Sequence, residues 1–151
     1  MKVYFAGPLF TQAERDWNIR TAEVIEGLGY DVFLPQAHEP RQQTAKAIFE
    51  MDVEGLDASD MVVAVMDGPD PDSGTSWEVG YAYAHHKPIV QIRTDFRGSG
   101  EGSLAPYNLM LSESAKFIVS VNSLTGSIGL RSHLKAALAA AEASISVGTQ
   151  A

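Results

Sequence analysis

Four carboxylates crowd one short stretch of this chain: Asp67, Asp70, Asp72 and Glu78 fall within twelve residues, around the turn Ser73-Gly74. The stretch follows the apolar run Met61-Val62-Val63-Ala64-Val65-Met66 and leads into a small-residue, helix-like run, so it reads as the loop of a β-loop-α unit. In open α/β sheets, ligands bind at such loops, at the carboxyl ends of the strands. Glu78, four residues after Gly74, is expected in the first turn of a helix that begins near Ser76. There the helix dipole favours the ionised form. A fixed, ionised carboxylate is a competent nucleophile toward an electrophilic sugar carbon. An ordinary helix-start glutamate satisfies the same pattern. Turn chemistry alone accounts for Asp72 equally well. Asp67 reads as a loop-capping carboxylate and Asp70 as a solvated one.

Other residues compete for a place beside this loop. Tyr4 lies on the first strand-like run, Lys2 to Ala6, with Phe5 directed to the other face. Its phenol could reach a site at the end of that strand. The run ends in Gly7-Pro8, followed by Leu9 and Phe10, and Phe10 is free to stack on a flat ligand. This first turn has neither G-x-G-x-x-G nor a Gly-Lys-Ser/Thr phosphate loop, so a dinucleotide or nucleoside triphosphate role lacks its fingerprint. Asp52 sits on a helical segment with Glu50, Glu54 and Asp57 and reads by itself as surface. His38, His85, His86 and His133 show no metal-ligand spacing, and there is no G-x-S-x-G elbow. No metal or cofactor is expected.

The elements that must position these residues alternate along the chain. Thr11 can cap a helix with Trp17, Ile19, Ala22, Ile25 and Leu28 near helical spacing and Gly29 as its C-cap. Tyr30 to Leu34 is a strand, and a polar loop, Gln36 to Gln43, precedes a helix from Thr44 to Leu56. Met61 to Met66 is the third strand and Ser76 to His86 the third helix, with His85, His86 and Lys87 placed as cations at its end. Pro88 to Ile92 is the fourth strand. A Gly/Ser-rich loop, Thr94 to Pro106, leads to the short apolar piece Asn108-Leu109-Met110-Leu111. Lys116 to Val121 is the fifth strand and Ser123 to Ala143 a long Leu/Ala helix. Alternating strands and helices predict one α/β domain over residues 1–143, its parallel sheet covered on both faces, with 144–151 a flexible tail.

Composition narrows the partners. The chain has 151 residues, 45% hydrophobic and 20% charged, with a net charge of −8 and no cysteine. One core suffices for that length. The acidic balance argues against nucleic acid and anionic membranes, and disulfides, thiolate nucleophiles and Cys-zinc sites are excluded. There is neither a signal-peptide pattern nor a run of membrane-spanning length, so a soluble cytoplasmic protein is expected.

Several of these stretches, in order, resemble the nucleoside 2-deoxyribosyltransferase family over residues 2 to 121. Tyr4-Phe5-Ala6-Gly7-Pro8-Leu9-Phe10 resembles its first strand and base-pocket loop, and Asp52-Val53-Glu54-Gly55-Leu56 its D-x-x-G-[IL] helix. Asp72-Ser73-Gly74-Thr75-Ser76-Trp77-Glu78-Val79-Gly80 resembles its D-x-G-x-x-x-E-x-G segment, and Asn108-Leu109-Met110 its N-L-M element. The resemblance implies a flavodoxin-like domain with a five-stranded parallel sheet. It also implies base exchange on 2′-deoxyribonucleosides through a covalent deoxyribosyl-Glu78 intermediate. Tyr4 would hold Glu78. Asp72 and Asp52 would bind the base, one of them donating a proton. Gly7, Phe10, Gly74 and Trp77 would help shape the pocket. Asn108 and Met110 would come from a neighbouring subunit of a homo-oligomer. One alternative is an N-glycosidase of the same fold acting on nucleosides or their 5′-monophosphates. Such relatives carry Ser and Arg in the first loop, whereas Pro8-Leu9-Phe10-Thr11 has no cation. A non-catalytic nucleoside-sensing module is the other.

Overall fold

The sheet is built from the most apolar runs of the chain. In the computed structural model, which describes residues 1–38, 44–121 and 128–148, five strands pair in parallel in the order β2-β1-β3-β4-β5. They are β1 (Lys2–Ala6), β2 (Asp31–Phe33), β3 (Met61–Val65), β4 (Ile89–Arg93) and β5 (Phe117–Ser120). Every residue of β3 and β4 is buried, while β2 and β5 at the edges are partly exposed. This is the pattern expected of central and edge strands in a sheet covered on both faces. The helices are α1 (Gln12–Glu26), α2 (Ala45–Asp57), α3 (Ser73–Ala84), α4 (Leu109–Ser112) and α5 (Ile128–Gly148).

Alternation along the strands sorts the core into two layers. Val3, Phe5, Val63 and Ile92 face α1 and α5, packing with Ile25, Leu134 and Leu138. Tyr4, Ala6, Val62, Ala64 and Ile89 face the other way, packing with Leu56 of α2, Val79 and Ala82 of α3, and Tyr107. The strand order reverses direction between β1 and β3, which makes that junction the switch point where such sheets bind ligands. Tyr4 is paired with Val62 across it.

Boundaries differ from the sequence reading where a cap or a contact decides them. Thr11 caps α1 as expected, in a reciprocal capping box with Glu14, but α1 ends at Glu26 with Gly27 as its cap. Gly29 follows in the left-handed region at φ 98°. Helix α3 starts earlier than Ser76, because Asp72 caps it by accepting from the Thr75 amide at 2.9 Å. Lys87 closes the end of α3 only through its backbone amide, which donates to the Ala82 carbonyl. Its Nζ donates to the Asp57 and Ser59 carbonyls and so closes the end of α2. The expected tail is helical as far as Gly148, since Ile145 packs on the core beneath α5. The expected loop at 39–43 and the expected start of the last helix at 123–127 lie outside the described residues, as do 122 and 149–151.

One contact sets how closely α2 approaches the sheet. A Cβ built on Gly55 would lie 2.4 Å from Cε1 of Phe33. That ring cannot swing away, because Tyr4 stacks on it at 5.5 Å and His38 at 4.4 Å between ring centroids. Gly55→Ala is therefore expected to overpack the α2–β2 contact and cost about 1–3 kcal/mol, measured as a lowered Tm. An unchanged Tm would show that the ring has room to move.

Candidate active site

Glu78 lies in the second turn of α3, not the first, and the helix dipole is not what sets its charge. The side chain points at the middle of β1, where the fully buried Tyr4 donates a hydrogen bond to Glu78 Oε1 at 2.5 Å. Burial pushes the Glu78 carboxyl up to about 8. The hydrogen bond from Tyr4 opposes that rise, while the nearby charges of Asp52 and Asp72 add to it. Burial first, and then the charge of Glu78, raise the Tyr4 phenol in turn. The expectation of a carboxylate ionised by its helix position is thus corrected. The raised value favours the protonated form of the Glu78 carboxyl near neutral pH.

Above this pair is a cavity of about 270 Å³ lined by Phe49, Asp52, Gly74, Trp77 and Glu78. Asp52 reaches it from α2, one turn before Gly55, so the close contact of Gly55 with Phe33 brings that carboxylate inward. Asp52 Oδ1 is buried without a hydrogen-bond partner, and burial raises the pKa of this group. A buried acceptor left unpaired is costly, and a ligand donor at that point would relieve the cost. Phe49 meets Trp77 edge-on at 5.5 Å, and Trp77 stacks on Tyr81, giving the cavity an aromatic rim. Both Phe49 and Trp77 are half exposed.

The remaining predicted residues divide clearly. Asp72 is spent in part as the cap of α3, its Oδ2 taking both the amide and the hydroxyl of Thr75. Gly74 lies inside the first turn of α3, so it is not needed for a tight turn into the helix. A Cβ there would meet Asp72 Oδ2 at 3.2 Å, and its absence leaves room for the carboxylate and for the cavity. Gly7 lies behind the site, where a Cβ would crowd Asn18 Oδ1 and Val65 at 3.2 and 3.3 Å. Asn18 in turn holds the Pro8 carbonyl. Phe10 is 77% exposed and does not line the cavity. Asn108 caps α4 by accepting from the Met110 amide. Met110 lines a separate cleft of about 390 Å³ with Val79, Gly80 and Tyr83. That cleft is on the opposite side of α3 from Glu78, so one chain does not bring Asn108 and Met110 to its own cavity. Asp67 is accounted for structurally: it accepts from the amides of Thr94 and Asp95 and from the Thr94 hydroxyl, joining the ends of β3 and β4.

A larger cleft, about 710 Å³, opens at the amino ends of the strands among Asp60, Lys87, Glu113 and Lys116. It is wide and lies at the end of the sheet away from the Tyr4–Glu78 pair, so size alone does not mark the site. Sequence reasoning missed Phe33, Phe49 and the buried polar pair Gln91 and Arg93 on β4. The last two carried a readable signal. They are polar at alternate positions of an otherwise apolar strand, and so share one face.

A phenol-held carboxyl under an aromatic-rimmed cavity, at the switch point of a doubly wound sheet, is the candidate small-molecule site. All of these groups lie within residues 3–110, over which the chain matches the nucleoside 2-deoxyribosyltransferase family. The chain belongs to that family. A conserved protein of Enterococcus faecalis V583 has the same fold, with 34% identity and a TM-score of 0.68 over 80% of this chain and 91% of that one. A 2-deoxyribosyltransferase of Bacillus psychrosaccharolyticus follows at 26% identity and a TM-score of 0.65, over 78% and 85%. A CMP N-glycosidase of Clostridium botulinum shares the fold at 17% identity and a TM-score of 0.58, over 83% and 92%. Among the described residues no helix is long and apolar enough to cross a membrane.

The raised pKa of Glu78 has a stability consequence of definite sign. In the unfolded chain its carboxyl loses its proton near the usual 4.5, whereas in the fold it keeps it to about 8. The native state binds more protons in that window. Through this group alone, stability is highest below pH 4.5 and falls toward pH 8, by about 1.4 kcal/mol per pH unit. Glu78→Gln keeps the neutral shape and removes that titration. Its Tm is expected to exceed that of the unaltered chain increasingly from pH 5 to pH 8. A difference that stays constant with pH would contradict the raised pKa.

Proposed function

We propose that this protein exchanges the base of 2′-deoxyribonucleosides by way of a deoxyribosyl ester on Glu78. The observation that carries the reading is the Tyr4–Glu78 hydrogen bond under a cavity whose other carboxylate, Asp52, has a buried and unpartnered oxygen. The Glu78 oxygen forms a bond to the anomeric carbon as the bond from that carbon to the base nitrogen breaks. The bonding pair leaves with the base, which takes up a proton. An oxocarbenium-like transition state is stabilised by the adjacent carboxylate and then trapped by it. The absence of a 2′-hydroxyl removes an electron-withdrawing group and makes that state easier to reach. The second base attacks the anomeric carbon as its bond to the Glu78 oxygen breaks, gives its N–H proton back to the site and frees Glu78. Two displacements retain configuration.

Tyr4 orients Glu78, and its hydrogen bond favours the ionised form needed for attack. We assign proton donation to Asp52, whose environment favours the neutral acid, and base recognition to Asp72, whose free oxygen remains beside its helix cap. Phe49 and Trp77 bound the base. Asn108 and Met110 serve the site of a neighbouring copy, a reading supported by their position across α3 from their own Glu78. A hydrolytic reading has the Clostridium botulinum fold neighbour in its favour. The first loop, Pro8-Leu9-Phe10-Thr11, has no cation to hold a 5′-phosphate.

Incubation with deoxyinosine and adenine should yield deoxyadenosine. Free hypoxanthine without deoxyadenosine would replace transfer by hydrolysis. Acid-quenched protein exposed to deoxynucleoside alone should carry one deoxyribosyl adduct on the Glu78 peptide. Glu78→Ala should lose on the order of a thousandfold in rate. Turnover without an adduct would remove the covalent step.

The carboxyl group that shares the site's proton also fixes the pH profile. Attack requires Glu78 ionised and Asp52 protonated, which has the same proton count as the resting state with Glu78 protonated. Loss of that one proton near pH 8 should therefore lower kcat/KM, not raise it. A rate that climbs through pH 8 would show that the base is protonated from elsewhere.

A further inference from the structure

Arg93 ends the central strand β4, is 5% exposed, and faces the same layer as Tyr4 and Glu78. An apolar residue would fill that position at lower cost, since a buried charge demands full hydrogen bonding. The guanidinium is instead used as a two-ended fork. Nη1 donates to the carbonyls of Met66 and, at 3.1 Å, Gly68, where the chain leaves β3 for the loop that delivers Asp72. Nη2 donates to the Arg97 carbonyl at 2.9 Å and the Ser99 hydroxyl at 3.4 Å, in the loop after β4. The guanidinium lies 5.1 Å from the centre of the Tyr107 ring.

That second loop buttresses the segment holding Asn108 and Met110. Ser99 N donates to the Pro106 carbonyl. Gly100, at φ 84°, lies so close to the Tyr107–Asn108 peptide that a Cβ would fall 2.5–2.9 Å from its atoms. Glu101 Oε2 accepts from the Leu109 amide. Tyr107 donates to Gln91, whose Nε2 reaches the Leu111 carbonyl in α4.

We propose that Arg93 is a positioning residue that fixes the acidic loop of its own site and, through the 97–101 loop, the Asn108–Met110 segment that serves the neighbouring site. This rests on the shared-site reading above. Only a planar fork reaches both loops at once, and an ammonium group would have to choose between them. One side chain would then set the geometry of half of each of two different sites.

Paired variants separate the two arms. Co-expressed Glu78→Ala and Asn108→Ala chains, purified as mixed assemblies through two tags, regain activity only where one copy supplies Glu78 and the other Asn108. Arg93→Lys on the Glu78→Ala chain disturbs only the donated Asn108 segment. On the Asn108→Ala chain it disturbs only the acidic loop. In both arrangements kcat is expected to fall at least tenfold, with Tm recorded on the same samples. Gly100→Ala, which leaves Arg93 in place and covers the case of a poorly folding Arg93 variant, should lower kcat only on the Glu78→Ala chain. A fall in just one Arg93 arrangement, or a lower Tm with kcat and KM unchanged at 25 °C, overturns the proposal. So does a Gly100→Ala effect independent of the chain that carries it. An inactive control mixture overturns the two-site role. In that case deoxyadenosine formation by the unaltered protein still shows whether the base-exchange reading stands.

Discussion

Ionising a carboxylic acid against the middle of a buried strand is expensive, and the arrangement around Glu78 follows from that cost. A nucleophilic carboxylate must be poorly solvated to attack carbon, yet it must not be so poorly solvated that it never ionises. The Tyr4 hydrogen bond is the compensating influence, and it works because the phenol is immobile. Tyr4 is fixed by strand pairing on both sides of β1 and by its stack on Phe33. Phe33 in turn is clamped by Gly55 and His38. The same chain of contacts brings Asp52 to the cavity. The electrostatics of the site are therefore a product of packing one layer below it.

Two carboxylates of the acid-rich stretch hold the loop in place. Asp67 draws three hydrogen bonds from the start of the loop after β4, and Asp72 caps α3. Arg93 satisfies the Met66 and Gly68 carbonyls on either side of Asp67. The loop after β3 is thereby tied at both ends. Helix α3 leaves it in an orientation that gives Glu78 to one neighbouring helix and Val79 and Tyr83 to the other.

Most of the architecture was legible in the chain. The apolar runs at 61–66 and 88–92 could only be central strands, and Thr11 and Thr44 announced their helices. Helix α3 was harder to bound, because a cap at Asp72 and a turn at Asp72 look alike until the Thr75 amide is seen to point back. The charge state of Glu78 was misread for the same reason: counted from Ser76 it belonged to the helix start, whereas counted from Asp72 it faces Tyr4. Gln91 and Arg93 escaped notice because polar residues in a buried strand find partners only through distant segments, Tyr107 and the loops at 66–68 and 97–99. The separation of Asn108 and Met110 from Glu78 is a matter of which side of a helix each faces, and spacing along the chain does not encode it.

Glu78 and Tyr4 sit on a helix and a strand that pack against each other, while Phe10, ahead of α1, and Met110, on α4, stand exposed. Substitution at either exposed position leaves the Tyr4–Glu78 hydrogen bond where it is. A lineage with this layout can vary its exposed positions one substitution at a time while the buried pair stays intact. The exposed positions should thus be the fast-changing part of the sequence and the buried pair the slow one.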